Sequence, residues 1–187
     1  MKCVLIHGFN VRDGGARTVD QLSPYLIKAG YEVEMDDADY GYYSLWKVRF
    51  RKHSAVRRIA KALETADIVI SHSNGGNYED KALKCLEHRD RHYKIIRISP
   101  ALNSKQRVPD NVERGFVFFT RTDKWVWMSS FLIGHSWGRM GQRGYHGPED
   151  RRMFNHDYSE MIKGHSDWFN QDNIEFTARE IIQALEK

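Results

Sequence analysis

The chain has 187 residues, of which 41% are hydrophobic and 29% charged, with a net charge of +4. These values fit one compact domain over residues 1–187 whose core needs no staples, and they exclude disordered and fibrous classes. Two cysteines, Cys3 and Cys85, make no disulfide framework, and without a Cys-x-x-Cys pair neither structural zinc nor dithiol chemistry has support. Both cysteines sit in apolar segments and are expected as buried thiols. The opening MKCVLIHGF carries too short an apolar run for a signal peptide, and no run approaches a membrane span, so a cytoplasmic protein is expected.

Taken in chain order, residues 2–6 read as a strand stopped by His7-Gly8, and GFNVRDGG as a loop. Val19, Leu22, Leu26 and Ala29 have helical spacing over 18–29, with Pro24 inside and Gly30 as the stop. Residues 31–36 alternate as a strand does. Residues 37–53 are aromatic and basic, without a clear period. Residues 54–66 form an amphipathic helix through Val56, Ile59, Ala60 and Leu63. The segment 67–71 is a strand with both faces apolar, followed by a helix over 76–88. Further strands are expected at 94–99, 115–120 and 152–156. A final helix over 172–186 has Asp172 or Asn173 as its cap and Ile174, Ala178, Ile181, Ile182 and Leu185 as its buried stripe. This alternation predicts an α/β three-layer sandwich around a mostly parallel sheet of about six strands. Segments 37–53 and 124–151, the latter expected as mostly loop, are candidates to line or cover a pocket.

Two basic runs stand out, Arg49–Lys61 and Arg89–Lys94. They read as solvated helix faces and loop ends. Nothing else resembles a nucleic-acid-binding motif, so nucleic acid is not an expected partner. The sequence carries no signal for an oligomeric state.

The chemistry centres on Ser71-His72-Ser73-Asn74-Gly75, between a buried strand and a helix. A serine on such a turn is lifted above the sheet edge, and the crowded backbones demand small flanking residues. The usual pattern is Gly-x-Ser-x-Gly, and here Ser71 replaces the first glycine. Gly134-His135-Ser136-Trp137-Gly138 matches that pattern literally, but RMGQRGYHGP follows it and cannot supply the helix. Ser73 is therefore the expected nucleophile. A serine needs a base, and the base an orienting carboxylate, in the order Ser, acid, His. Asp123, just past the strand GFVFFT, and His165, in KGHSDWF before the last helix, fit that order. Asp157 is the main rival acid and Asp110 a second; His156 is a rival base. His72 should pack beneath the turn. The oxyanion donors are expected to be the backbone N–H groups of Asn74 and of Phe9, with Asn10 second. His7 should hold the first loop by local hydrogen bonds.

IHGF at 6–9, ISHSNGG at 70–76, the TRTD segment ending at Asp123 and GHSDWF at 164–169 together resemble the α/β-hydrolase superfamily. More narrowly they are similar to the compact retinoblastoma-binding-protein-9/YdeN-like serine hydrolases. The resemblance implies a Ser73, Asp123, His165 triad and an oxyanion hole from Phe9 and Asn74. It implies hydrolysis of an ester, thioester or amide in a small-molecule acyl substrate, with no cofactor and no metal. A carboxylesterase is the expected activity; the alternative is a non-catalytic binding protein on the same fold.

Overall fold

Short strands with both faces apolar are stable only in a sheet covered on both sides. The computed structural model describes residues 1–8, 14–34, 38–40, 52–131, 137–148 and 151–187, and it places the strands in such a sheet. The strands are β1 (Lys2–Ile6), β2 (Glu32–Glu34), β3 (Ile68–His72), β4 (Tyr93–Ile98), β5 (Val112–Phe119) and β6 (Met153–Asp157). They form one sheet in the order β2-β1-β3-β4-β5-β6, and every neighbouring pair is parallel. The helices are α1 (Ser23–Lys28), α2 (Lys52–Leu63), α3 (Gly75–Cys85), α4 (Lys124–Ser129), α5 (Met140–Arg143) and α6 (Ile174–Leu185).

Alternate residues of each strand feed two cores. Val4, Ile6, Val69, Ile95 and Val117 pack with Ile59 and Leu63 of α2 and Tyr78 and Leu83 of α3. Cys3, Leu5, Ile68, Ile70, Ile96 and Phe118 pack with Leu26 of α1 and Ile181 and Leu185 of α6. This is the expected three-layer α/β sandwich. After β2 the chain crosses back to place β3 on the other side of β1. The carboxyl ends of β1 and β3 thus form a topological switch point, where open α/β sheets bind ligands.

Local departures have local causes. The helix expected over 18–29 divides into a 3-10 turn, Val19–Leu22, and α1. Pro24 lies in the first turn of α1, where its missing N–H is no loss. Cys3 is buried, and burial pushes its thiol up to about 12. Cys85 is exposed, against expectation. The buried stripe there runs through Ala82, Leu83 and Leu86, and Cys85 falls on the other side of the last turn. Arg57, Arg58 and Lys61 are exposed on α2, the solvated face their spacing suggested.

The segment 124–151 contains α4 and α5, and Trp125, Trp127, Met128 and Phe131 project outward from α4 and its end. Most of 37–53 lies outside the described residues. Among the described residues no helix is long and apolar enough to cross a membrane.

Candidate active site

Strand β3 ends at His72, and α3 starts at Gly75, so Ser73 and Asn74 make the whole turn. Ser73 has φ 55°, a left-handed conformation that costs a non-glycine residue on the order of 1–3 kcal/mol. Neighbouring backbone holds it there. The Ser73 N–H donates to the Ile98 carbonyl at 3.0 Å, and the Ser73 carbonyl accepts from Ala101 N–H at 3.0 Å. A Cβ at Gly75 would lie 2.5 Å from the His7 carbonyl oxygen, so that position admits only glycine.

Three distant segments meet at the turn. The Ser73 hydroxyl donates to His165 Nε2 at 2.8 Å, and His165 Nδ1–H donates to Asp123 Oδ2 at 2.7 Å. This pairing fixes the His165 tautomer with its proton on Nδ1 and its lone pair toward Ser73. Asp123 follows β5 and is the N-cap of α4: its Oδ1 accepts the Val126 N–H at 3.0 Å. One buried carboxylate therefore caps a helix and orients an imidazole.

The loop carrying His165 is anchored behind it. Trp168 is fully buried, and its indole N–H donates to Ser99 Oγ at 3.0 Å. Thr177 in α6 donates to the Trp168 carbonyl at 2.9 Å. His72 packs beneath the turn as expected and does more. Its Nε2–H donates to the His165 carbonyl at 3.1 Å, and its ring lies 4.7 Å from that of His165 and 4.9 Å from Phe169. Burial, reinforced by His165 and His7, holds the His72 pKa well below the usual histidine value.

The chain matches no family model and no curated protein sequence. Solved structures do resemble it. A pyrethroid hydrolase from Sphingobium faniae aligns with a TM-score of 0.59 at 13% identity, over 100% of this chain and 96% of that one. An extracellular alpha/beta-hydrolase from a Paenibacillus species gives 0.60 at 10% identity, over 98% of each chain. The ydeN gene product of B. subtilis gives 0.59 at 14% identity, over 100% and 99%. The fold is that of the α/β hydrolases. At these identities the likeness carries the fold, not the narrower YdeN-like group.

Within the α/β-hydrolase fold the other sequence candidates lie elsewhere. Asp157 pairs with Arg121 Nε at 2.8 Å and accepts from Ser159 N–H at 3.0 Å. Asp110 is exposed and pairs with Arg107 ahead of β5. His156, on β6, packs against Phe118 and Tyr158. His7 bonds locally as expected, its Nδ1 2.8 Å from the Gly8 carbonyl; beyond that, its Nε2 lies 3.0 Å from Asp39 Oδ1, and Tyr40 OH lies 2.9 Å from the His7 carbonyl and 2.7 Å from that of Gly8. Asn74 is buried, and no acceptor within the described residues takes its backbone N–H. A Cβ at Gly8 would lie 3.0 Å from that of Ser73, so Gly8, just past β1, lies beside the turn. Phe9, Asn10 and Ser136 lie outside the described residues. Among the described residues no cluster of three or more His, Cys, Asp or Glu side chains is placed to hold a metal ion.

One feature of the site had no sequence reading. The Ser71 hydroxyl donates to the Glu79 carboxylate on α3. Glu79 also accepts from Arg97 Nε at 3.1 Å and Nη2 at 3.0 Å, across on β4. Asp80 lies 3.5 Å from Arg97 Nη2, accepts from Lys84 Nζ at 2.8 Å and is bonded by Gln106. Ser71, Glu79, Asp80 and Arg97 are all buried. Burial pushes the Glu79 carboxyl up, with Arg97 and Ser71 opposing. Burial works against the Arg97 charge too, but the facing carboxylates outweigh it and hold its proton more firmly than usual. The serine in the glycine position thus ties the end of β3 to a buried ion pair.

Proposed function

We propose that the protein is a serine hydrolase that cleaves carboxylic esters through an acyl-enzyme on Ser73. The observation that carries this reading is the hydrogen-bonded chain Ser73–His165–Asp123, with a lone pair of His165 directed at the Ser73 hydroxyl. His165 Nε2 takes the Ser73 proton as Oγ attacks the ester carbonyl carbon. The tetrahedral intermediate collapses, the C–O bond to the alcohol breaks, and His165 returns the proton to the departing oxygen. Water then attacks the acyl-enzyme, passes a proton to His165, and leaves as part of the carboxylic acid while Ser73 regains its hydrogen. Asp123 keeps the imidazole in the required tautomer and stabilises its charged form. The Asn74 N–H, at the start of α3 and without an acceptor among the described residues, is suited to the developing oxyanion, with Phe9 as the second donor.

The test is covalent labelling. A fluorophosphonate should modify the protein on Ser73, and Ser73→Ala should abolish both labelling and hydrolysis of p-nitrophenyl acetate while the fold persists. Labelling that survives in Ser73→Ala and vanishes in Ser136→Ala would overturn the assignment.

A further inference from the structure

We propose that Trp137 is the wall of the acyl pocket beside Asn74 and restricts the site to short acyl groups; this rests on the serine-hydrolase reading. The segment 137–141 is stapled to the loop after β4. Gly138 N–H donates to the Ala101 carbonyl at 3.3 Å, Met140 N–H to Leu102 at 2.9 Å and Gly141 N–H to Pro100 at 2.8 Å. A Cβ at Gly138 would lie 2.4 Å from the Asn103 Cα and 2.5 Å from the Leu102 carbonyl oxygen. Glycine is therefore what lets this segment press against the loop. The same loop anchors Ser73 through Ala101.

That approach delivers Trp137 to the turn. Its indole N–H donates to Asn74 Oδ1 at 2.5 Å. An indole is a donor only, so the contact fixes the Asn74 amide, with Oδ1 toward Trp137 and Nδ2 on the far side. Nδ2 is buried there with no hydrogen-bond partner among the described residues. A buried amide half-satisfied in this way is destabilising, and an apolar residue would fill the same space without that loss. What the amide achieves is to hold a half-buried indole beside the residue that follows Ser73.

The chemistry says which part of the substrate meets the ring. The leaving oxygen must face His165 Nε2 to receive its proton. The carbonyl oxygen must face the Asn74 N–H. The acyl chain takes a third direction, away from both, and on this proposal it runs past the Asn74 side chain, to which the indole is bonded. A ring pinned at one edge and backed by a stapled loop does not swing aside, so chain length is limited by contact.

The experiment compares wild type, Trp137→Ala and Trp137→Phe on p-nitrophenyl esters from acetate to decanoate, with the leaving group constant. The readout is the ratio of kcat/KM for decanoate to that for acetate, which a general loss of stability does not move. Trp137→Ala should raise the ratio by about tenfold or more, the scale of a hydrophobic pocket's discrimination. Trp137→Phe, which keeps a ring, should shift it less. An unchanged ratio in Trp137→Ala that still labels on Ser73 with fluorophosphonate overturns the proposal alone. Absence of labelling and hydrolysis in wild type overturns the hydrolase reading and this proposal with it. Should Trp137→Ala not fold, Trp137→Leu is read by the same ratio.

Discussion

Two polar networks flank the turn at Ser73, and they are built differently. Beneath it, Ser71, Glu79, Asp80 and Arg97 form a set closed within the core, its outward links running from Asp80 to Lys84 and Gln106. Each charge there faces an opposite charge, and Arg97 reaches from β4 to α3. Above it, Ser73, His165 and Asp123 form a chain that grades outward: the Asp123 side chain is 0% exposed and that of His165 15%. The closed set has no proton to give without leaving a charge stranded in the core. The open chain ends on a hydroxyl beside Gly8, just past β1. On the serine-hydrolase proposal the difference separates holding from reacting: one network fixes where the strained turn sits, and the other would move a proton.

The largest expected effect tests the open chain. Asp123→Asn should lower kcat/KM on a p-nitrophenyl ester by about 10⁴-fold, because an amide favours the wrong imidazole tautomer. The same variant should keep its fold stability, since asparagine caps helices as well as aspartate does. Asp123→Ala should lose activity as well and also about 1 kcal/mol of stability with the cap to Val126 N–H. Urea unfolding beside steady-state kinetics separates the two roles. Equal stability of Asn and Ala variants would remove the capping role.

The closed set should respond in the opposite way. Arg97→Met leaves Glu79 buried and uncompensated, and the expected loss is about 3–5 kcal/mol of unfolding free energy. Replacing three of its members with apolar side chains, Ser71→Ala with Glu79→Leu and Arg97→Met, while Asp80 keeps Lys84 and Gln106, should restore much of that loss. In the refolded molecules, turnover per fluorophosphonate-titrated site should stay within a few-fold of wild type. If Arg97→Met instead loses turnover at full stability, the distinction between holding and reacting fails.

These two networks also mark where the sequence was legible. The strands announced themselves because runs such as Ile68–Ser71 are apolar on both faces and are stopped by turns. The order of Ser73, Asp123 and His165 could be read because each falls just past an element at one end of the sheet. Element edges were less legible: β5 starts at Val112, since Glu113 and Arg114 lie at its exposed beginning and break the apolar run. Ser71 was visible only as a departure from glycine. Its partner Glu79 lies on α3 and looks, on helical spacing, like any solvated acid. Arg97 did carry a signal, a charge in the middle of a buried strand, which physics allows only with a partner. Trp137 carried no signal beyond its place in the literal Gly-x-Ser-x-Gly match at 134–138. Its use against Asn74 depends on a backbone contact at Gly138 that no spacing rule reveals.

The smallest expected effect lies at His72, which packs against His165 and Phe169. Its Nε2–H is committed to the His165 carbonyl, and its Nδ1 is buried with no hydrogen-bond partner among the described residues. A proton added at Nδ1 would bring a charge into a site already facing His165 and His7, which is why the folded protein keeps this ring neutral. The unfolded chain has no such restraint and takes a proton near the ordinary histidine value of about 6.5. Below that pH the unfolded state binds more protons than the folded state, so stability falls as pH falls. Above it neither state is protonated at His72, and the contribution is fully present. His72→Gln keeps an amide donor for the His165 carbonyl and removes the titration. The fall in urea midpoint between pH 8 and pH 5.5 should therefore be smaller in His72→Gln than in wild type. An equal fall in both would show that the acid sensitivity resides elsewhere and that the ring beneath the turn serves only as packing.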